Sequence, residues 1–325
     1  MAMATIRAPS PSRQIAFYQL LVAARKTWLL DALGQALKRT DPRQTKAQAS
    51  SFIPPDAQKI LAAAGIRDEY VFPLPIVLEE KPSLVGYYRL LLGSPQKTFY
   101  GGGTGMGQFK SMETHGSLSE KQRDALPDFC RAMAGSLADL VRQMSPKITD
   151  REINDLPLLT FGAQLQGANN TKIGRQATEN VYGAVDEILK RHIIRRKHRR
   201  LTIKNAAGRR VSITLAGDPD LSVQEDVAGN LQNRVAIEIK GGTDKSNAYN
   251  RAGEAEKSHQ KAKKKGYRDF WTVISIKGVD RQTLESGSPT TNSWFDAAQV
   301  LGREGEDWEE FRRRLAAAVG IPLKP

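Results

Sequence analysis

The sequence predicts an α/β fold of the α+β kind: a mainly helical N-terminal region, then a mixed central sheet flanked by helices. Three observations carry this expectation. Between residues 56 and 146, apolar residues recur at helical spacing and are interrupted by proline and glycine rather than by strand-like runs. From 201 to 276, short β-branched runs alternate with segments of helical period, and the strongest strand pattern lies at 235–239. The chain of 325 residues, 40% hydrophobic and 26% charged, is long enough for two ordinary domains with self-sufficient cores. The change of pattern divides it into 1–150, mainly helical, and 151–325, which carries the strands.

Taken in order, the small and polar residues 1–13 read as a flexible arm. Ile15, Phe17, Leu20, Leu21, Leu29, Leu30, Leu33 and Leu37 then predict one long amphipathic helix. No acidic residue precedes Asp31, which raises an organelle transit role, but the continuing apolar period assigns the segment to the fold. Pro54-Pro55-Asp56 opens a short helix that stops near Gly65, and Pro82 opens another over 83–92, closed by Gly93-Ser94-Pro95. Ser117 with Glu120 has the form of a capping box for the next helix, in which Pro127 predicts a kink or restart. A helix at 174–192 leads into a dense basic run, 190–200. Strand patterns follow at 201–203, 211–215, 221–223 and 235–239, then a helix at 251–265 ended by Gly266 and a strand at 270–276.

Composition narrows the function. Lys and Arg total 49 against 35 Asp and Glu, a net charge of +14, as suits a surface that replaces the counterions of a nucleic acid. The single cysteine, Cys130, excludes an internal disulfide framework and a cysteine-based zinc cluster. No run approaches the roughly 18 apolar residues of a membrane helix. With no apolar secretory core either, the expected compartment is the cytoplasm.

The chemistry concentrates in Asp218-Pro219-Asp220 and, at the end of the strongest strand, Glu238-Ile239-Lys240. Glu238 and Lys240 lie two apart on a strand and leave the same face, whereas Val235, Ile237 and Ile239 turn to the core. If Asp220 pairs beside them, two carboxylates and an ammonium meet at one sheet edge. Two carboxylates offer hard oxygen ligands to Mg²⁺, and Lys240 would orient the attacking water and offset charge on a phosphate. Read blandly, the same residues are an ordinary turn and a cross-strand ion pair.

Pro219-Asp220 followed by Glu238-Ile239-Lys240 resembles the PD-(D/E)xK nuclease signature. The run VAIEIKGGTDKSNAYNRAGEAEKSHQKA at 235–262 is similar to the XcyI family of type II restriction endonucleases. Segment 86–113, with YYRLLLGSPQKTFY and TGMGQFKSME, resembles a stretch recurring in restriction endonucleases. The resemblance implies a PD-(D/E)xK restriction-endonuclease-like core and Mg²⁺-dependent hydrolysis of both strands of a short palindromic duplex, GC-rich and CCCGGG-like, within a restriction-modification system. It also implies a homodimer or tetramer acting on double-stranded DNA, with a cognate DNA methyltransferase as functional rather than physical partner. On the matched positions Asp220 and Glu238 would bind metal and Lys240 would orient water. Glu254, fourteen residues beyond Lys240, resembles the additional acid of endonucleases that read CCGG-cored sites, and whether Glu238 or Glu254 completes the metal shell stays open.

Such relatives place base-reading groups in the segment matching 244–251, which makes Lys245, Asn247, Asn250 and Arg251 candidates for DNA contact, Arg251 with the geometry for guanine O6 and N7. A polar capped loop is the plain alternative. Arg195 and Arg196, in the basic run, are candidates for phosphate contact. The glycine-rich 101–107 lacks the spacing of a phosphate loop and reads as a mobile loop near Lys110. The histidines, at 115, 192, 198 and 259, lack zinc-ligand spacing, and His259 reads as a surface residue. Cys130, Tyr87 and Tyr88 read as packed residues. Two other functions fit the same residues: a repair or junction-resolving nuclease of the same superfamily, and a non-catalytic basic DNA-binding protein.

Overall fold

The computed structural model describes residues 10–241, 248–276 and 280–323. The chain forms two compact units, Met1–Gly167 and Ala168–Pro325.

The first unit is helical: α1 (Ser12–Thr27), α2 (Leu30–Leu37), α3 (Pro42–Phe52), α4 (Pro55–Ala63), α5 (Pro75–Glu80), α6 (Val85–Leu91), α7 (Gln96–Tyr100), α8 (Lys110–His115) and α9 (Glu120–Met144). The single helix expected over 15–37 is two. The chain turns at Trp28 and Leu29, whose amides both donate to the Ala24 carbonyl, and this turn carries Leu29, Leu33 and Ala36 into the core. The capping box belongs to Ser119 and Gln122, not to Ser117 and Glu120. Two such frames lie two residues apart, and the one that wins lets the Gln122 amide also donate to Gln108 O and Ser111 Oγ. Pro127 does not restart α9, which runs through it because Leu126, Phe129, Cys130, Met133, Leu137 and Val141 are all buried along one face. Tyr87 and Tyr88 are core residues whose hydroxyls donate to the carbonyls of Tyr70 and Glu69 at 2.7 and 2.8 Å.

A buried ion pair lies inside this apolar core. Arg89, fully buried, makes two bonds of 2.9 Å to the Glu113 carboxylate, which also accepts from Gln96 Nε2 at 2.6 Å and Tyr100 OH at 2.5 Å. Arg89 further donates to Ser94 O and, at 3.1 Å, to Gln164. Burial alone would raise the Glu113 pKa, but the Arg89 bonds outweigh it and hold the carboxyl below its ordinary range. The glycine loop that follows α7 uses left-handed backbone at Gly102, Gly103 and Gly105, which explains its composition.

Helix α10 (Asp150–Leu189) ends three residues short of the helix expected over 174–192 and begins 24 residues earlier than Gly174, running through Pro157 and several glycines. The second unit is a seven-stranded mixed sheet in the order β1 (Ile193–Lys197), β2 (Arg200–Lys204), β3 (Arg210–Leu215), β4 (Leu221–Val227), β5 (Asn230–Lys240), β6 (Asp269–Ile274) and β7 (Ser293–Asp296). β1 through β5 pair antiparallel; β5–β6 and β6–β7 are parallel. Thus part of the basic run 190–200 is an edge strand and its turn. Charges obscure the strand pattern there, because an edge strand exposes both faces to water. Ala228 and Gly229, both at positive φ, form the two-residue turn that joins β4 to β5.

Helices α11 (Ala248–Lys264), α12 (Arg281–Gly287), α13 (Ala297–Gly302) and α14 (Glu306–Val319) complete the unit. Val235, Ile237 and Ile239 pack with Val181 and Val185 of α10, with Trp271 and Val273, and with Phe311 and Leu315 of α14. Alternate β5 residues lie on the other sheet face. There Ala236 packs with Ala262 of α11 and with Phe270.

Candidate active site

Asp220 immediately precedes β4, and pairing of Leu221 with Ile237 brings its carboxylate to the end of β5. Asp220 Oδ2 accepts the Ile239 amide at 2.8 Å, and its carboxyl lies close enough to Glu238 for the charge of each to bear on the other. Lys240 Nζ lies 3.3 Å from Glu238 Oε2 and 4.0 Å from Glu254 Oε2. The hairpin turn sets this meeting, because eighteen residues of two antiparallel strands return the chain to its starting level.

The electrostatics are unusual for a buried carboxylate. Burial, then the neighbouring Asp220 charge, push the Glu238 pKa up to about 7 against the pull of Lys240. Asp220 is raised as well, by burial first, against the Ile239 amide and Lys240. Asp218 adds a negative charge nearby that raises both. Its own Oδ2 is held by Lys261 at 3.1 Å, and Lys265 donates to its carbonyl. Two neighbouring acids with raised pKa values and one ammonium beside them form a donor set that fits a divalent cation. Among the described residues, no three His, Cys, Asp or Glu side chains gather as a ready cage. Glu254 is 63% exposed and approaches Lys240.

The backbone around Lys240 is tightly set. A Cβ at Gly241 would lie 2.2 Å from the Ala177 Cβ of α10, so only glycine lets β5 end where it does. On the α11 side, Thr272 of β6 is the register partner of Glu238. His259 of α11, expected at the surface, is fully buried, and its Nε2 meets Thr272 Oγ1 at 2.9 Å. It occupies a stripe with Ala248, Ala252, Ala255 and Ala262, the small-residue face by which α11 lies close to the sheet. That alanine period was the available signal for its burial.

The other candidates spread out. Arg195 and Arg196 are exposed on β1, and Arg196 pairs with Asp186 at 3.0 Å. Asn250 and Arg251 occupy the first turn of α11, exposed and half-buried respectively. Lys245 and Asn247 lie outside the described residues. Cys130 is buried in α9. No described helix is long and apolar enough to cross a membrane.

Comparison with known proteins shows the family of the chain. The family model described as XcyI restriction endonuclease matches residues 18–322. The chain is 37% identical over 321 residues to the type II restriction enzyme Cfr9I of Citrobacter freundii, covering 98% of this chain and 97% of that one. It is 38% identical over 324 residues to the type II restriction enzyme XcyI of Xanthomonas campestris pv. cyanopsidis, again covering 98% and 97%.

Proposed function

The chain belongs to the XcyI restriction endonuclease family and is a nuclease; from that premise we propose that it hydrolyses both strands of a short GC-rich palindrome, CCCGGG-like, in duplex DNA with Mg²⁺ as cofactor. The observation that carries the reading is the convergence of Asp220, Glu238 and Lys240 at one sheet margin, with Glu238 pushed up to about 7 by burial and by Asp220. Asp220 and Glu238 are the residues that would hold Mg²⁺, with Glu254 a third candidate at the rim. The cation, when bound, supplies Lewis acidity toward the scissile phosphate.

The chain's own groups do the rest. Asp220 is oriented by the Ile239 amide, so its carboxylate is fixed before any ligand arrives. Lys240, held by Glu238, presents donors that orient the attacking water and stabilise charge growing on the phosphate oxygens. The rigid β4–β5 pair keeps these groups aligned for in-line attack.

Arg195, Arg196, Lys245, Asn247, Asn250 and Arg251 are assigned to DNA contact, Arg251 to a guanine edge. A palindrome presents two symmetric strands, so the working form is a homodimer or a tetramer built from it. The enzyme acts in the cytoplasm alongside a DNA methyltransferase that protects the host's own sites. Plasmid digestion tests the reading: wild type with Mg²⁺ gives discrete fragments, and Asp220→Ala or a chelator removes them. Equal cleavage by Asp220→Ala contradicts it.

A further inference from the structure

A chain of hydrogen bonds, buried at His259 and Thr272 and half-buried beyond them, runs through the face of the second unit that carries Glu238, and neither sequence pattern nor the reaction above accounts for it. His259 Nε2 meets Thr272 Oγ1 at 2.9 Å, Thr272 Oγ1 meets Thr291 Oγ1 at 3.0 Å, and Thr291 Oγ1 meets Ser288 Oγ at 2.8 Å. Ser288 Oγ then donates to Glu256 Oε2 at 2.9 Å, and the same carboxylate accepts the Thr290 amide and hydroxyl at 3.0 and 2.7 Å. The chain therefore leaves α11 at His259, crosses β6, passes through the connection before β7 and returns to α11 at Glu256.

The placement of its first link matters. Thr272 is the parallel register partner of Glu238, and both side chains lie on the α11 face. Five residues before His259, the same helix carries Glu254, whose carboxylate reaches Lys240 at 4.0 Å. His259 also packs edge-on against Phe270, with ring centroids 5.5 Å apart, so the imidazole is fixed by shape as well as by its bond. Buried polar side chains are costly unless bonded, and here a run of bonds joins helix to sheet at this one level, with His259 Nδ1 buried and left without a hydrogen-bond partner. A leucine or alanine would pack α11 on the sheet without fixing its rotation or slide.

We propose that His259 and Thr272 are positioning residues: their bond sets α11 against β5 and β6 so that Glu254 stands beside Lys240 and the Asp220–Glu238 pair is held ready for a divalent cation. The inference rests on the metal-dependent reading of the site. The low basicity of His259, pushed down to about 4 chiefly by burial, fits a neutral imidazole that acts as a fixed bonding group.

The test is a titration of Mn²⁺ alone into the full chain, read by electron paramagnetic resonance of the free ion. It is combined with plasmid cleavage rates across Mg²⁺ concentration. The variants are Thr272→Val, which removes one hydroxyl at nearly constant shape, His259→Ala, and His259→Gln, which keeps a donor toward Thr272. Thr272→Val and His259→Ala raise the half-saturating Mn²⁺ and Mg²⁺ concentrations by about tenfold, leave the rate at saturating Mg²⁺ within about threefold, and His259→Gln recovers most of the loss. Should His259→Ala fail to fold, Thr272→Val decides. Midpoints within about twofold of wild type in the folded variants, with only the melting temperature lowered, reduce the chain to a structural tie and overturn the proposal. A wild-type chain that neither binds Mn²⁺ nor cleaves with Mg²⁺ overturns the functional reading itself.

Discussion

Glu113 and Glu238 are both carboxylates with almost no exposed side chain, and their surroundings are opposite. Glu113, in the helical unit, faces a guanidinium that grips it with two bonds, and an amide and a phenol complete its acceptor sites. Its pKa is lowered despite burial. Glu238, in the sheet unit, faces another carboxylate and has one ammonium at 3.3 Å; its pKa is pushed up to about 7. The first group is electrostatically complete and has nothing left to bind. The second has an excess of negative charge that burial makes costly, and a stronger positive charge there would be favourable. Burial is common to both, so the difference lies in charge balance, which separates a structural ion pair from a binding site.

That contrast is open to attack from both sides. The largest effect belongs to Arg89→Ala, which strands Glu113 in an apolar core; it destabilises the first unit by about 3–5 kcal/mol in urea unfolding. A loss below about 1 kcal/mol would mean the network is slack, and the comparison would fail on that side.

Glu238→Gln acts the other way in metal-free protein. The folded pKa of Glu238 lies above its ordinary 4.5, so its favourable contribution is complete below pH 4.5 and is lost as pH rises through about 7. At pH 8 in chelator the Gln variant is therefore more stable than wild type by on the order of 2 kcal/mol, and at pH 4 the advantage disappears. Unfolding curves at the two pH values that show no such divergence remove the claim of strain between the acids. The same variant loses cleavage.

A smaller, purely steric effect sharpens the picture. Gly241→Ala drives a methyl into Ala177 and shifts the end of β5, at a cost of about 1–3 kcal/mol and a larger loss of cleavage. Adding Ala177→Gly opens the space and restores a substantial part of both. No restoration in the double variant would place the glycine's role elsewhere.

Much of this was readable from residue order. Asp220, Glu238 and Lys240 meet because the eighteen-residue offset spans one hairpin, and the alternation of 235–239 already divided core from site. The α+β class and the helical character of the first half followed from periodicity. Three features were hidden for physical reasons. β1 reads as a charge run because an edge strand has no buried face to impose alternation. α10 reads as beginning at Gly174 because Pro157 and its glycines mimic breaks, yet the helix runs through them. His259 is one polar residue in an alanine stripe, and only the closeness of α11 to the sheet decides that it is buried. The Arg89–Glu113 pair was likewise invisible, because it joins residues 24 apart through the packing of separate helices.

The central claim is that a cation binds at Asp220 and Glu238 and displaces the proton that the raised pKa of Glu238 favours. Calorimetric titration of Mg²⁺ at pH 6 in buffers of different ionisation enthalpy measures this directly. The account predicts release of about one proton per site in wild type and almost none in Glu238→Gln. Tight Mg²⁺ binding without proton release, or with the same release in the variant, would contradict it.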